Sequence, residues 1–232
     1  MRPQPPATAE ILQRLARSPE LDLRLEPDQL GVGIELVDAG LGFHHSFVTG
    51  TVARRARQPG QLLLKACNNR QRSIKSVLDL TAGWGVDAYL LARHGHSVTM
   101  LEQSELVSAI VAWSLQRLAE DANEGEYAQR LVIEHADALG YLERLGGRDF
   151  DCIYLDPMFA AHKSGAKPAK EMQILQALTG NADIEACFEL ALRRARNRVV
   201  VKRAAKAPAL TGLKPDLTQR AKTIRFDVYL TG

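Results

Sequence analysis

Val77-Leu78-Asp79-Leu80-Thr81-Ala82-Gly83-Trp84-Gly85-Val86-Asp87-Ala88 passes from a run of branched apolar residues through a glycine turn into a helix start. Glycines at 83 and 85 remove Cβ atoms where a ligand can approach the backbone, and the first helical turn offers amides with no partner inside the helix. A strand, a glycine turn and a helix in this order form the usual receptor for a nucleotide-like cofactor. The segment Gly83 to Ala88 also satisfies the G-x-G-x-x-A variant of the dinucleotide fingerprint, a pattern that decides little alone.

From Ser76 onward, short β-branched runs alternate with longer segments of helical periodicity, which predicts a parallel sheet covered by helices on both faces. The expected strands are 76–80, 97–101, 131–135, 150–155 and 197–202; the expected helices are 86–94, 105–120, 138–145 and 184–196. Residues 222–230 alternate polar and apolar side chains, which predicts a strand closing the sheet antiparallel to its neighbour. The segment 207–221, with Pro208, Gly212 and Pro215, has no clear pattern. Before Ser76, a short helix at 9–17 and strands at 21–25 and 33–37 suggest a small α+β region. Gly40, Gly42 and Gly50 suggest a pliable loop that orders on binding. The division expected is therefore a lid or substrate-positioning region, 1–75, and a main α/β domain, 76–232.

The apolar run Phe150 to Leu155 ends in Asp156-Pro157-Met158-Phe159. This places a carboxylate, a rigid turn and an aromatic face at one strand end, on the same sheet edge as the glycine turn. An exocyclic amine on a nucleobase is a poor nucleophile because its lone pair is delocalised into the ring. A carboxylate and a backbone carbonyl accepting its two hydrogens steer that lone pair, so positioning and electrostatics supply most of the catalysis. Asp156, the Pro157 carbonyl and a stacking Phe159 fit those roles, whereas an Asp-Pro pair standing alone is an ordinary turn.

Other acidic residues carry two readings each. Asp79 can accept from turn amides or face a cationic ligand. Glu102, at the next strand end, can bridge ribose hydroxyls or be solvated. Asp137 edges a third loop or caps the helix beginning at Ala138. The formal net charge is only +3, but Arg54, Arg55 and Arg57, then Lys65, Arg70, Arg72 and Lys75, then His162, Lys163, Lys167 and Lys170 form basic clusters. The last follows the aspartate motif, where a polyanion would gain most. Each is otherwise a solvated face. His44 and His45 lack metal-site spacing, which leaves substrate contact or exposure. Cys67, Cys152 and Cys187 suit neither a disulfide framework nor zinc, and Cys152 reads as a small core residue. With no long apolar span and no signal-peptide core, the chain is expected in the cytosol. The absence of a nucleophile elbow or phosphate loop excludes hydrolysis and phosphoryl transfer of those kinds.

Asp79 to Ala92, Tyr154 to Phe159, Lys170-Glu171-Met172, Arg198 to Arg203 and Arg225 to Tyr229 together resemble the bacterial small-subunit ribosomal RNA guanine-N2 methyltransferases of the J type. The resemblance runs from about Leu21 to the C-terminus. It implies a Rossmann-like class I methyltransferase fold: a seven-stranded, mostly parallel sheet with an antiparallel last strand. It also implies S-adenosylmethionine as donor, with S-adenosylhomocysteine as product, and N2 methylation of one guanine in the 3′-terminal region of 16S rRNA. Carried across, cofactor contacts fall on Val86 and Asp87, Glu102 and Gln103, Asp137 and Ala138, and Asp156; the glycine turn read by itself adds Asp79, Ala82, Gly83 and Gly85. Val86, Asp137 and Ala138 depart in type from the family's pattern, as do His44-His45-Ser46 and Arg54-Arg55 in its N-terminal loop. RNA phosphate contacts are expected from Arg54, Arg55, Lys163, Lys167, Lys170, Lys202 and Arg203, on free 16S rRNA or the small subunit, with no metal and no membrane involved. The same residues permit methylation of another amine, such as adenine N6 or a protein amide. They also permit an assembly factor with a vestigial pocket, and the glycine turn alone permits nicotinamide chemistry.

Overall fold

Seven strands form the central sheet, and alternation along each strand divides the apolar side chains between its two faces. Residues 8–15, 23–68, 73–157, 168–180 and 182–232 are described by the structure, a computed structural model. The N-terminal elements are α1 (Thr8–Leu15), β1 (Leu23–Pro27), β2 (Val32–Leu36), β3 (Leu41–His45), α2 (Gly50–Ala56) and α3 (Gln61–Cys67). The main unit continues with β4 (Ser76–Asp79), α4 (Val86–Arg93), β5 (Ser97–Glu102), α5 (Glu105–Ala119), α6 (Gly125–Ala128), β6 (Leu131–His135), α7 (Ala138–Arg144) and β7 (Phe150–Leu155). It ends with α8 (Lys170–Leu178), α9 (Ile184–Arg194), β8 (Ala195–Ala204), β9 (Leu217–Arg220) and β10 (Ile224–Leu230).

The order across the large sheet is β6-β5-β4-β7-β8-β10-β9. The first five in that order run parallel, and β10 is antiparallel to both β8 and β9. On one face Val77, Met100, Cys152, Tyr154 and Val200 join a core with Ala88 and Leu91 of α4 and Ile110 of α5. On the other, Leu78, Leu101, Ile153, Leu155, Val199 and Val201 pack with Leu142 of α7 and Phe188 of α9. Strands apolar on both faces are what a buried parallel sheet requires. Among the described residues three helix starts carry side-chain caps: Ser104, Asp137 and Asp183 accept from Val107 N, Gly140 N and Ala186 N.

The parallel strands and their helices match the expected ranges to within two residues. The C-terminal edge differs. β10 is interior and pairs on both sides, because β9, in the segment without a clear pattern, forms the edge. That strand is polar and mostly exposed, so it carries no alternation of burial to read. The intervening loop is tied down by Arg225, whose Nη1 donates to the carbonyls of Ala204, Ala205 and Ala207.

The N-terminal region also differs from a pliable loop. Gly40 makes the turn of a hairpin at φ 59°, Gly42 lies within β3, and Gly50 opens α2. Val32, Ile34 and Leu36 on β2, with Phe47, turn into the same core as the large sheet, which holds the hairpin against it. Neither His45 nor its neighbour is plainly exposed. His45 is fully buried, with Nδ1 2.8 Å from Ser114 Oγ and Nε2 3.0 Å from the Trp84 carbonyl. His44 lies 2.9 Å from Asp28 Oδ2. The residues α2 and α3 comprise only seven positions each, too few for helical periodicity to declare itself. Cys152 is buried, as expected, and Cys67 and Cys187 are likewise free and buried. Among the described residues no helix is long and apolar enough to cross a membrane.

Burial lowers the His45 imidazole to about 4, although the bond to the Trp84 carbonyl opposes the shift. The folded protein thus holds it neutral while the unfolded chain protonates near 6.5. His45 must cost stability as pH falls from 6.5 towards 4 and be neutral in effect above that window. The stability gap between wild type and His45→Gln, read from denaturant unfolding, should narrow across that interval by no more than about 3 kcal/mol. A constant gap would contradict a buried neutral imidazole.

Candidate active site

The chain leaves β4 for β5 on one side and leaves β7 for β8 on the other, so the loops after β4 and β7 part above the sheet's carboxyl edge. Such a reversal of strand order opens a crevice. Two cavities occupy it. One, of about 140 Å³, is lined by Gly83, Glu102, Gln103, Ala136, Ala138 and Ile184 among others. The other, of about 940 Å³, lies towards the N-terminal helices, with Arg55, Gln61, Asp87, Met172, Lys202 and Phe226 in its wall. Thr81, Gly83, Asp156 and Pro157 belong to both.

The glycine turn shapes the wall of both cavities. Gly83 and Gly85 adopt φ of 50° and 70°, in the left-handed region. A Cβ on Gly85 would also lie 3.0 Å from Phe47 Cζ, and one on Gly83 would lie 2.9 Å from Leu175 Cδ2. The Gly83 amide donates to Glu102 Oε2 at 3.1 Å, and Ser104 N donates to Oε1 at 2.8 Å. Burial pushes the Glu102 carboxyl up, and these amides oppose it. Trp84 donates from Nε1 to the Glu171 carbonyl at 2.9 Å, which fastens α8 over the turn. Ala82 is buried and bonds through its amide to Leu101 O; Val86 begins α4.

Of the residues expected at the third loop, Ala138 lines the smaller cavity while Asp137 caps α7, accepting from Gly140 N at 2.7 Å. Gln103 lines the cavity and donates to Gly180 O at 2.7 Å. Asp79, only 2% exposed, accepts from Thr81 N at 3.1 Å. Burial pushes its carboxyl up to about 8, and Asp87 and Asp156 add to the shift.

The larger cavity holds an ion cluster. Lys202 Nζ lies 2.7 Å from Asp156 Oδ2 and 2.9 Å from Asp87 Oδ2, and Tyr154 donates its hydroxyl to that same Asp87 oxygen at 2.6 Å. Burial raises the Asp87 carboxyl, yet Lys202 and the Tyr154 hydroxyl hold it below its ordinary value. Burial lowers Lys202, but the two carboxylates outweigh it and keep the ammonium charged. The expected phosphate contact at Lys202 therefore gives way to an internal one. Alternation along the strands carries this signal in the sequence: Asp156 follows Tyr154 by two, and Lys202 follows Val200 by two, so all four share a face.

The other expected RNA contacts are dispersed. Arg54 is exposed on α2 and Lys170 is exposed at the start of α8. Arg55 lines the larger cavity but pairs with Glu171 at 2.7 Å. Arg203 is 8% exposed and donates to the Pro208 carbonyl at 2.9 Å, so its guanidinium serves the loop. Phe159, Lys163 and Lys167 lie outside the described residues, as do Met158, His162, Arg70 and Arg72.

The family described as "Putative SAM-dependent methyltransferase" matches residues 11–231. Ribosomal RNA small subunit methyltransferase J of Shewanella baltica (strain OS185) is 37% identical over 214 residues, 90% of this chain and 86% of that protein. The protein of the same name from Tolumonas auensis is 37% identical over 233 residues, 95% of this chain and 90% of its own length. The chain belongs to the ribosomal RNA small subunit methyltransferase J family. In keeping with this, the SAM-dependent methyltransferase NGO1261 from Neisseria gonorrhoeae shares the fold with a TM-score of 0.73 at 27% identity, covering 98% of this chain and 92% of that one.

Members of this family are S-adenosylmethionine-dependent, and the residues present fit that donor. Gly83 lines both cavities, Gly85 lies behind it where a Cβ would strike Phe47 and Met100, and Glu102 and Gln103 stand at the neighbouring strand end. Glu102 and Gln103 would hold the ribose, the apolar wall of Ala136, Ala138 and Ile184 the adenine, and the glycine turn the amino-acid portion.

Two outcomes test this arrangement. Gly85→Ala should lose about 1 to 3 kcal/mol of stability in thermal unfolding, because an L-residue is strained at that φ and meets Phe47. It should also weaken S-adenosylhomocysteine binding by calorimetry. Asp79 is protonated in the fold and ionised in the unfolded chain between pH 3.8 and about 8, so its contribution falls as pH rises through that window. Asp79→Asn should accordingly gain on wild type by at most about 1.4 kcal/mol per pH unit across it.

Proposed function

We propose that the chain methylates the exocyclic N2 of one guanine in the 3′-terminal region of 16S rRNA, presented on the free RNA or on the small subunit, in the cytoplasm. One observation carries the reading: Asp156 and Pro157 stand in the wall shared by the two cavities, with Glu102, Gln103 and Ala138 on one side and a larger space, lined in part by Val86 and Asp87, on the other. The names of the relatives supply the substrate class.

When bound, S-adenosylmethionine supplies an electrophilic methyl group on a cationic sulfonium. The chain's own residues do the rest. The Asp156 carboxylate and the Pro157 carbonyl accept the two hydrogens of the guanine amine, which turns its lone pair towards the smaller cavity. Thr81 Oγ1 holds the Asp156 amide at 2.6 Å, anchoring the acceptor to the strand that carries the glycine turn. Asp156 stabilises the positive charge that develops on the amine and takes the surplus proton. Phe159 stacks on a guanine flipped from its RNA context.

Residues 1–75 form the substrate-positioning region and 76–232 the methyltransferase domain in this reading. Arg55 and Gln58 near α2, and Gln61 to Leu63 on α3, line the larger cavity and support that role. Arg54 and Lys170, both exposed, with Lys163 and Lys167, supply phosphate contacts.

Labelled methyl transfer to small subunits that lack the modification, followed by nucleoside analysis, should yield N2-methylguanosine at a single site. Asp156→Ala should reduce kcat by about 100-fold or more while S-adenosylhomocysteine binding stays within about threefold. Wild-type turnover in the variant, or methyl appearing on another amine, would overturn the reading.

A further inference from the structure

Asp156 is held at its side chain as well as its backbone. Its Oδ2 accepts from Lys202 Nζ at 2.7 Å, and among the described residues its other oxygen accepts no hydrogen bond. Lys202 does not float. Its ammonium also donates to Asp87 Oδ2 at 2.9 Å, and Asp87 is in turn fixed by the Tyr154 hydroxyl at 2.6 Å. The chain Tyr154, Asp87, Lys202, Asp156 runs from β7 through α4 and β8 to the turn that follows β7. It is only partly wet: the side chains of Lys202 and Asp87 are each 23% exposed.

This arrangement does two things that a lone carboxylate could not. It fixes the rotamer of Asp156 so that Oδ1, which accepts no hydrogen bond from the described residues, can accept from an incoming amine alongside the Pro157 carbonyl. It also offsets like charge: Asp87 on α4 and Asp156 after β7 converge here beside the protonated Asp79 on β4, burial and Asp87 push the Asp156 carboxyl up, and Lys202 on β8 opposes that shift. Without it, two neighbouring carboxylates would compete and one would take a proton. A protonated Asp156 donates where the reaction needs an acceptor.

We propose that Lys202, anchored by Asp87 and Tyr154, is a positioning residue that keeps Asp156 ionised and aims its Oδ1 at the acceptor amine. This rests on the reading of Asp156 given under Proposed function. It assigns Lys202 to the chemistry and away from RNA phosphates.

The test compares Lys202→Met, Lys202→Arg, Tyr154→Phe and Asp156→Ala in full-length enzyme, with unmethylated small subunits as substrate. Lys202→Met should lower kcat about 100-fold near pH 7 with KM for S-adenosylmethionine within about threefold. Its kcat should recover about tenfold between pH 7 and 9, because the acid limb of the profile moves up when the ammonium is gone. Lys202→Arg should restore all but about tenfold of kcat, since it returns the charge with a different geometry. Tyr154→Phe leaves Lys202 in place and should lower kcat about three- to tenfold with a smaller shift of the same limb. It serves as the reporter if Lys202→Met fails to fold by thermal unfolding.

A lysine that merely supports the fold would lower melting temperature and leave the pH profile of the remaining activity unmoved, which would overturn the proposal. So would a kcat in Lys202→Met within about threefold of wild type while Asp156→Ala is inactive. In that case the assignment of Asp156 stands and Lys202 falls. Full activity in Asp156→Ala would instead overturn the reading on which the proposal rests.

Discussion

Everything at this site depends on the reversal of strand order between β4 and β7. Parallel pairing aligns their carboxyl ends, with Asp79 opposite Tyr154 and Tyr154 opposite Val200 on β8. The connections then depart in opposite directions, and the space they vacate cannot be filled by backbone from either side. Because side chains alternate along each strand, the register that pairs these residues also places Asp79, Tyr154, Asp156 and Lys202 on one face. The ion cluster follows from that register, and a slip by one residue would send its members to opposite faces.

A second layer of order comes from the N-terminal hairpin. His45 donates from Nε2 to the Trp84 carbonyl and places Nδ1 against Ser114 Oγ, Phe47 sits against Gly85, and Phe43 meets Trp84 edge-on at 4.9 Å between ring centroids. Trp84 in turn bonds the Glu171 carbonyl while the Glu171 carboxylate pairs with Arg55. The glycine turn is thus gripped by β3, α2 and α8 together. Two glycines in the left-handed region would be pliable alone; packed against Leu175, Phe47 and Met100 they form a rigid turn, which is the preorganisation that binding a flexible donor needs. The same contacts connect the wall of the larger cavity to that of the smaller one, so the acceptor side and the cofactor side are built on shared residues.

Legibility in the sequence followed length and amphipathic contrast. The five parallel strands and the helices α4, α5, α7 and α9 show clear runs or periodicity, and the glycine turn and Asp156-Pro157 fall at strand ends that the runs themselves define. What escaped were mostly short or polar elements: β3 and α6, α2 and α3, whose length gives barely two turns, the nine-residue α8, and β9, whose side chains face solvent. Gly42 looked like part of a hinge because glycine permits many conformations, yet the apolar residues of β2 and Phe47 commit the hairpin to the core. Asp137 left two readings open, and the cap is the one its hydrogen bond to Gly140 occupies. Lys202 was misplaced because a charged residue in a basic stretch looks like surface until its strand partners are known.

The sequence by itself determined the α/β class, the strand and helix order of the main unit, and the two motifs, because these rest on local periodicity and on residues adjacent in the chain. It also contained, through the family resemblance, the donor and the kind of substrate. The tertiary structure alone decided which charges meet. Lys202 lies 46 residues from Asp156 and 115 from Asp87 along the chain, and only the pairing of β7 with β8 and the packing of α4 over their common face bring the three together. Coulombic partners are set by distance in space, and no local pattern encodes that distance.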